Sequence, residues 1–402
     1  MSSKQLPESS NVWEVLCVFT KLGCTAFGGP VAHLGFFRQE FVERRRWIDD
    51  DGYADLVALC QFLPGPASSQ VALALGWKRA GFIGALCAWL GFTLPSTALM
   101  LAFAYGVQQL NGFGQSGWVQ GLKIAAVAVV AQALWQMARR LCPDVPRAII
   151  ACAAAVVLLF APTAWMQLGV IAGGAFAGGL LKQKLASDSK RPTSASTTRR
   201  QFAGVNWLVA FFALLLFLPW AVRIWPLEWL QVVDGFYRAG ALVFGGGHVV
   251  LPLLERATVG RGWLDHGTFL AGYGAAQALP GPLFTFAAYL GAIISVGPRG
   301  IIGGFLALLA IYLPSVLLIF GVLPQWERLR QMLLARALLA GTNAAVVGLL
   351  GAAFYSPICT SAMTEPNRWI IAVVAFMGLM FGKMPPWLAV LACALAGKLF
   401  LH

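Results

Sequence analysis

The sequence predicts an all-α polytopic membrane protein: two inverted-topology repeats with broken or re-entrant helices, joined by a single connecting transmembrane helix. Three observations carry this expectation. The composition is strongly apolar, the chain is internally duplicated, and each half sets a Pro-Gly-Pro triplet at mid-depth in an apolar run.

Of the 402 residues, 59% are hydrophobic and 11% charged, with a mean hydropathy of +0.73. Such a balance belongs to a membrane protein and excludes an ordinary soluble domain. The N-terminus, MSSKQLPESSN, has no basic n-region, short apolar core and small-residue cleavage site, so the first apolar segment is expected in the mature chain. A net charge of +13 is expected to reflect Lys and Arg held in cytoplasmic loops, with no nucleic-acid partner. The eight cysteines stand singly in apolar surroundings and read as small buried hydrophobes, not as a disulfide framework or a metal site.

In chain order, apolar runs fall at 12–36, 53–77, 80–106, 119–138, 147–163 and 165–181. A lone run follows at 205–225, then 230–254, 268–295, 300–323, 337–355, 369–382 and 386–401. The two sets of six align. Phe19 and Lys21 precede FGGP at 27–30 as Phe236 and Arg238 precede FGGG at 244–247. Trp47 and Asp49 recur as Trp263 and Asp265, QFLPGP at 61–66 as QALPGP at 277–282, and Leu-Pro-Ser at 94–96 as 313–315. The expected division is a repeat over 1–185, a basic linker and connecting helix over 186–227, and a second repeat over 228–402. The polar, Ser/Thr-rich stretch within 182–201 reads as a disordered tether.

Proline lacks an N–H and clashes with the preceding turn, and glycine resists ordering, so both Pro-Gly-Pro runs must break. In lipid a break is tolerated only where protein or a wet cavity surrounds it. Broken helices in corresponding positions of two halves point to a transporter's binding site. Nine crossings with re-entrant hairpins and thirteen full crossings both fit the runs. Nine keep the loop with Arg38, Arg44, Arg45 and Arg46 inside with the other basic corners, which the positive-inside rule favours. Either count places the N-terminus in the cytoplasm and the C-terminus outside.

No GxxxxGK[ST], HExxH or GxSxG motif is present, so nucleotide-driven transport, metalloprotease chemistry and an enzyme role are not expected, nor is a cofactor. Glycine at depth is the chemistry on offer. Gly28, Gly29, Gly245, Gly246 and Gly247 let backbone approach an anion at the positive end of a helix, although close packing of small residues explains such glycines equally. Lys21 and Arg238, seven positions before Gly28 and Gly245, are basic residues inside apolar runs, where a charge needs a partner, a wet cavity or a snorkelling path. Gly65 and Gly281 at the breaks, Ser68, Ser69 and Thr285 just after them, and Gln61 and Gln277 just before them are candidate contacts to an oxyanion. Glu40, Asp55 and Glu255 are candidate proton-linked groups. Asp49 and Asp265 are expected to cap helices.

At these residues the chain resembles the chromate ion transporter family in its long, two-domain form. The likeness rests on FGGP at 27–30, RQEFVERRRWID at 38–49, QFLPGP at 61–66, FGGGHVVLPLLE at 244–255, GWLD at 262–265 and QALPGP at 277–282, and covers nearly the whole chain. It implies a bacterial inner-membrane protein that exports chromate and confers resistance to it. Glycines and spacing by themselves point only to some anion, and sulfate has the same shape and charge. A non-transporting membrane sensor or scaffold is the reading from another class, and a homodimer is left open.

Overall fold

The structure, a computed structural model, describes residues 12–109, 116–161, 163–180, 204–244, 247–326, 332–382 and 384–401. The tether expected within 182–201, the basic residues Arg328 and Arg330, and the glycines Gly245 and Gly246 lie outside the described residues. Every regular element among the described residues is helical, as expected.

The first half opens with a broken pair, α1 (Val12–Thr25) and α2 (Gly29–Arg38), where α2 runs on through a π-helical turn Gln39–Arg44. Gly28 and Gly29 take the break with φ of 100° and 78°, values that L side chains resist. A second broken pair follows, α3 (Asp50–Phe62) and α4 (Ala67–Gln109). Asp49 caps α3 by accepting from the Gly52 N–H, and Leu63 leaves the helix in extended conformation just before Pro-Gly-Pro. The sequence separates the runs 53–77 and 80–106, yet the chain turns between them at only two residues, Ala80 and Gly81, inside α4. Then come α5 (Gly117–Leu141), α6 (Val145–Phe160) and α7 (Ala164–Leu180).

Helix α8 (Val205–Ile224) stands at the periphery, with Phe212, Leu216, Phe217 and Trp220 exposed. The second half repeats the order. Its first broken pair is α9 (Glu228–Ala241) and α10 (Val250–Thr258), its second α11 (His266–Ala278) and α12 (Phe286–Ile293). Asp265 caps α11 through the Thr268 N–H as Asp49 caps α3, so the capping expectation holds in both halves. The remaining helices are α13 (Gly300–Val322), α14 (Leu333–Ala353), α15 (Pro366–Met380) and α16 (Pro386–Phe400). Gly300 stands where Gly81 stands in the first half, and their φ values are 64° and 62°.

Five stretches are long and apolar enough to cross a membrane: Ala67–Val107, Gly117–Leu141, Val205–Ile224, Gly300–Gln325 and Leu333–Ser356. Shorter apolar helices accompany them, and the whole is a multi-pass membrane protein. Small residues bring the helices close, as membranes require. Gly23 of α1 meets the Gly91 and Phe92 carbonyls of α4, and Gly240 of α9 meets the Ile311 carbonyl of α13. The halves also exchange their last helices. Helices α6 and α7 pack on α14, with Gly174 and Gly178 against Gly341, while α15 and α16 pack on α5, with Gly121 against Cys393. All eight cysteines are free; Cys60, Cys359 and Cys393 are buried as expected, but Cys17, Cys24 and Cys152 face outward.

Candidate functional site

The two Pro-Gly-Pro breaks meet the two Phe-Gly-Gly breaks crosswise. The Gly65 N–H of the first half donates to the Val243 carbonyl of the second at 2.7 Å, and the Gly281 N–H of the second donates to the Ala26 carbonyl of the first at 2.9 Å. Val243 and Ala26 hold equivalent places, each just before its Phe-Gly-Gly. Gly65 and Gly281 have φ of 120° and 90°. Each also lies against the Leu-Pro-Ser motif of the other half: a Cβ on Gly281 would sit 2.7 Å from Ser96 Oγ, and one on Gly65 would collide with Ser315 Oγ. Four broken segments thus lock into one centre.

This corrects one expectation. The N–H groups of Gly65 and Gly281 are engaged by carbonyls, because a break frees acceptors as well as donors and the opposite break supplies the match. A further freed carbonyl, that of Pro64, accepts from Gln70 Nε2 at 2.7 Å. Thr285 is used in the same way, its hydroxyl donating to the Pro282 carbonyl at 2.8 Å. His33 donates from Nε2 to the Ala26 carbonyl at 3.1 Å.

Other polar groups at the centre have no such partner. The hydroxyls of Ser69, Thr93, Tyr312 and Ser315 are buried without a hydrogen bond, as is Gln70 Oε1. Tyr312 Oη faces Ser69 and Thr93, and the Tyr312 ring stands edge-on to Trp89 at 5.4 Å. Thr93 and Tyr312 occupy equivalent positions three residues before Ser96 and Ser315. Unsatisfied buried hydroxyls are costly, and a cluster of them at a functional centre asks for a ligand or for water. Sequence reasoning missed Thr93, Tyr312, Ser96 and Ser315 as site residues; the repeated Leu-Pro-Ser was the available signal. Ser68 is buried beside this nest, in the first turn of α4.

The remaining candidates separate. Lys21 is exposed on α1, whereas Arg238 donates to Asp234 at 2.6 Å, with Arg261 on the same carboxylate oxygen at 3.4 Å. The pair expected to act alike therefore does not share an environment. Asp234 holds the place of Cys17 in the first half, and its spacing four residues before Arg238 was legible but unused. Gln61 Oε1 accepts from Arg140 at 2.6 Å, so its oxygen is committed. Gln277 is buried with Nε2 unsatisfied, beside Tyr273, whose hydroxyl meets His248 Nδ1 at 2.8 Å. Gly247 opens a short 3-10 turn, Gly247–Val249, on which His248 sits.

Of the proton-linked candidates, Glu40 is unsuited to a neutral-pH relay. Burial raises its carboxyl, but hydrogen bonds from Arg45 and Arg44 outweigh that and hold it below the ordinary value. Asp55 is half-buried on α3. Glu255 lies on the wall of a cavity of about 290 Å³ and faces His266, with Nδ1 at 3.7 Å. No group of three or more potential metal ligands occurs among the described residues.

The family model described as Chromate transporter matches residues 13–179 and 230–398. A chromate transport protein of Pseudomonas aeruginosa is 28% identical, over 99% of this chain and 94% of the relative. One from Cupriavidus metallidurans is 26% identical, over 96% and 92%. An uncharacterized transporter of Methanocaldococcus jannaschii is 25% identical, over 100% and 96%. No solved structure matches.

Proposed function

The chain belongs to the chromate transporter family, and from that premise we propose that it is a secondary transporter that exports chromate from the cytoplasm and so confers resistance to it. The carrying observation is the reciprocal pair of hydrogen bonds, Gly65 to Val243 and Gly281 to Ala26, which joins the four broken segments at one point. We read 1–185 and 228–402 as repeats of opposite orientation and 186–227 as the linker and connecting helix. The four broken pairs dip in and return, leaving nine crossings of a bacterial inner membrane, with the N-terminus cytoplasmic and the C-terminus periplasmic.

In this reading the anion binds at the centre of the four breaks. The first turn of α4 presents the positive end of a helix there, and the hydroxyls of Ser69, Thr93, Tyr312 and Ser315 supply donors without fixed charge. Neutral donors replace hydration without holding the dianion too tightly to leave. Gly281, Thr285, Gln277 and Gly28 shape the opposite side. Lys21, Gly29 and Arg238 then act on the approach to the centre.

The membrane potential suffices to drive export. One charge across 100 mV is worth about 2.3 kcal/mol, so a dianion leaving a cell at roughly −150 mV gains about 7 kcal/mol. Purified protein in vesicles, loaded with labelled chromate or sulfate under an imposed potential, tests the proposal. Potential-driven chromate flux supports it, flux of sulfate alone reassigns the substrate, and flux of neither rejects it.

A further inference from the structure

The ends of α2 and α10 are clasped to the starts of α3 and α11 by residues in equivalent positions, but with reversed polarity. In the first half Arg38 grips Asp50 with two hydrogen bonds of 2.9 Å. In the second half the same places hold Glu255 and His266, with Oε1 and Nδ1 3.7 Å apart. The first pair is well exposed, whereas the Glu255 and His266 side chains are only 13% and 21% accessible. Helices α6, α7 and α14 wall the second clasp and leave beside it the cavity of about 290 Å³, lined among others by Leu158, Gln167, Glu255, Arg256 and Ser356.

Arg256 is the cation of this cavity. Nη1 donates to the Thr163 carbonyl at 2.6 Å, and with the Gln167 amide turned so that its oxygen faces the guanidinium, Nε and Nη1 donate to that oxygen at 2.8 and 3.0 Å. Both acceptors are neutral, so they orient the guanidinium without cancelling its charge. The charged and titratable groups facing Glu255 are Arg256, its neighbour on α10, and His266 from α11. With Glu255 ionised, the Glu255–Arg256 couple is neutral and the cavity has no net pull on an anion. With Glu255 protonated, the charge of Arg256 is uncompensated on a cavity wall that also carries Ser356 and a new carboxyl O–H donor.

We propose that this cavity is a second oxyanion site, distinct from the four-break centre, which takes a tetrahedral dianion together with one proton on Glu255. The volume corresponds to roughly ten waters at about 30 Å³ each, room for such an anion with part of its hydration shell. Burial raises Glu255 to about 7, against the pull of Arg256, so the proton is exchangeable near neutral pH. Linkage makes the coupling reciprocal: the anion raises the proton affinity of Glu255 by the factor by which the proton raises that of the anion. The proposal rests on the transported substrate being an oxyanion, but on nothing about the central site.

The test is calorimetric titration of the purified full-length chain with sodium chromate and with sodium sulfate at pH 8, where both are dianions, in buffers of different ionisation enthalpy. The expected result is close to one proton taken up per anion bound at this site, and none in Glu255→Gln. Glu255→Gln also binds about tenfold tighter at pH 8, since one pKa unit of protonation cost corresponds to a factor of ten. Arg256→Gln, and Arg256→Lys should the first variant fail to fold, weaken the proton-linked binding while leaving proton-independent binding at the centre. Anion binding without proton uptake in the wild type, or uptake that persists in Glu255→Gln, overturns the second site and leaves the central one standing. Binding of neither anion overturns both.

Discussion

The side chain of Ser315 occupies the space that a Cβ on Gly65 would need, and Gly65 itself donates to Val243 from the same half as Ser315. The first break therefore closes only against the second half. Gly281 repeats the relationship with Ser96 and Ala26, which makes the centre a joint product of both repeats.

Gly65→Ala should destabilise the chain by roughly 2–5 kcal/mol, from about 1–2 for positive φ and about 1–3 for overpacking. Adding Ser315→Gly should return the overpacking share but not the φ share. Thermal unfolding of the single and double variants in detergent measures the coupling. Strict additivity would mean that the two residues do not meet across the halves.

Arg238→Ala should lower stability by about 3–5 kcal/mol, towards the lower end because Arg261 still reaches Asp234. Asp234→Asn in the same chain should recover much of the loss by removing the buried charge. Lys21→Ala, on an exposed position, should leave unfolding unchanged and affect only transport. Equal losses from both single variants would restore the idea of an equivalent basic pair.

For Glu40 the folded carboxyl lies below its ordinary 4.5. A depressed carboxyl contributes stability above the unfolded value and loses it as pH falls through the folded one. Glu40→Gln should therefore lower the melting temperature at pH 7, with the difference from wild type shrinking below pH 4.5. A deficit of the same size at pH 3 and pH 7 would assign the loss to packing.

Tyr312→Phe and Thr93→Val remove hydroxyls that face one another without a well-formed hydrogen bond, so folding should change little. A hydrogen bond to a charged ligand is worth about 1.5–3 kcal/mol, hence each variant should raise the chromate KM roughly ten- to hundredfold. Thr285→Val should change KM less, since that hydroxyl already donates to the Pro282 carbonyl. Unchanged KM in the first two variants would move the anion away from this nest.

What the sequence determined by itself is local. Pro64 and Pro66 cannot continue a helix, Asp49 and Asp265 reach an N–H three residues on, and Gly28 accepts a positive φ; each depends on neighbours within one or two turns. The duplication was legible for the same reason, because a repeated local instruction writes a repeated motif. Tertiary structure alone decided which acceptor each freed N–H would find. Gly65 and Val243 are far apart in the chain, and only the packing of α4 from the first half on α12 and α13 from the second brings opposite breaks together. Pairing at a distance also separated Lys21 from Arg238 and set Arg256 against Thr163 and Gln167 on a cavity wall. A charge's environment is fixed by the helices that surround it, and apolar composition does not specify which helix faces which.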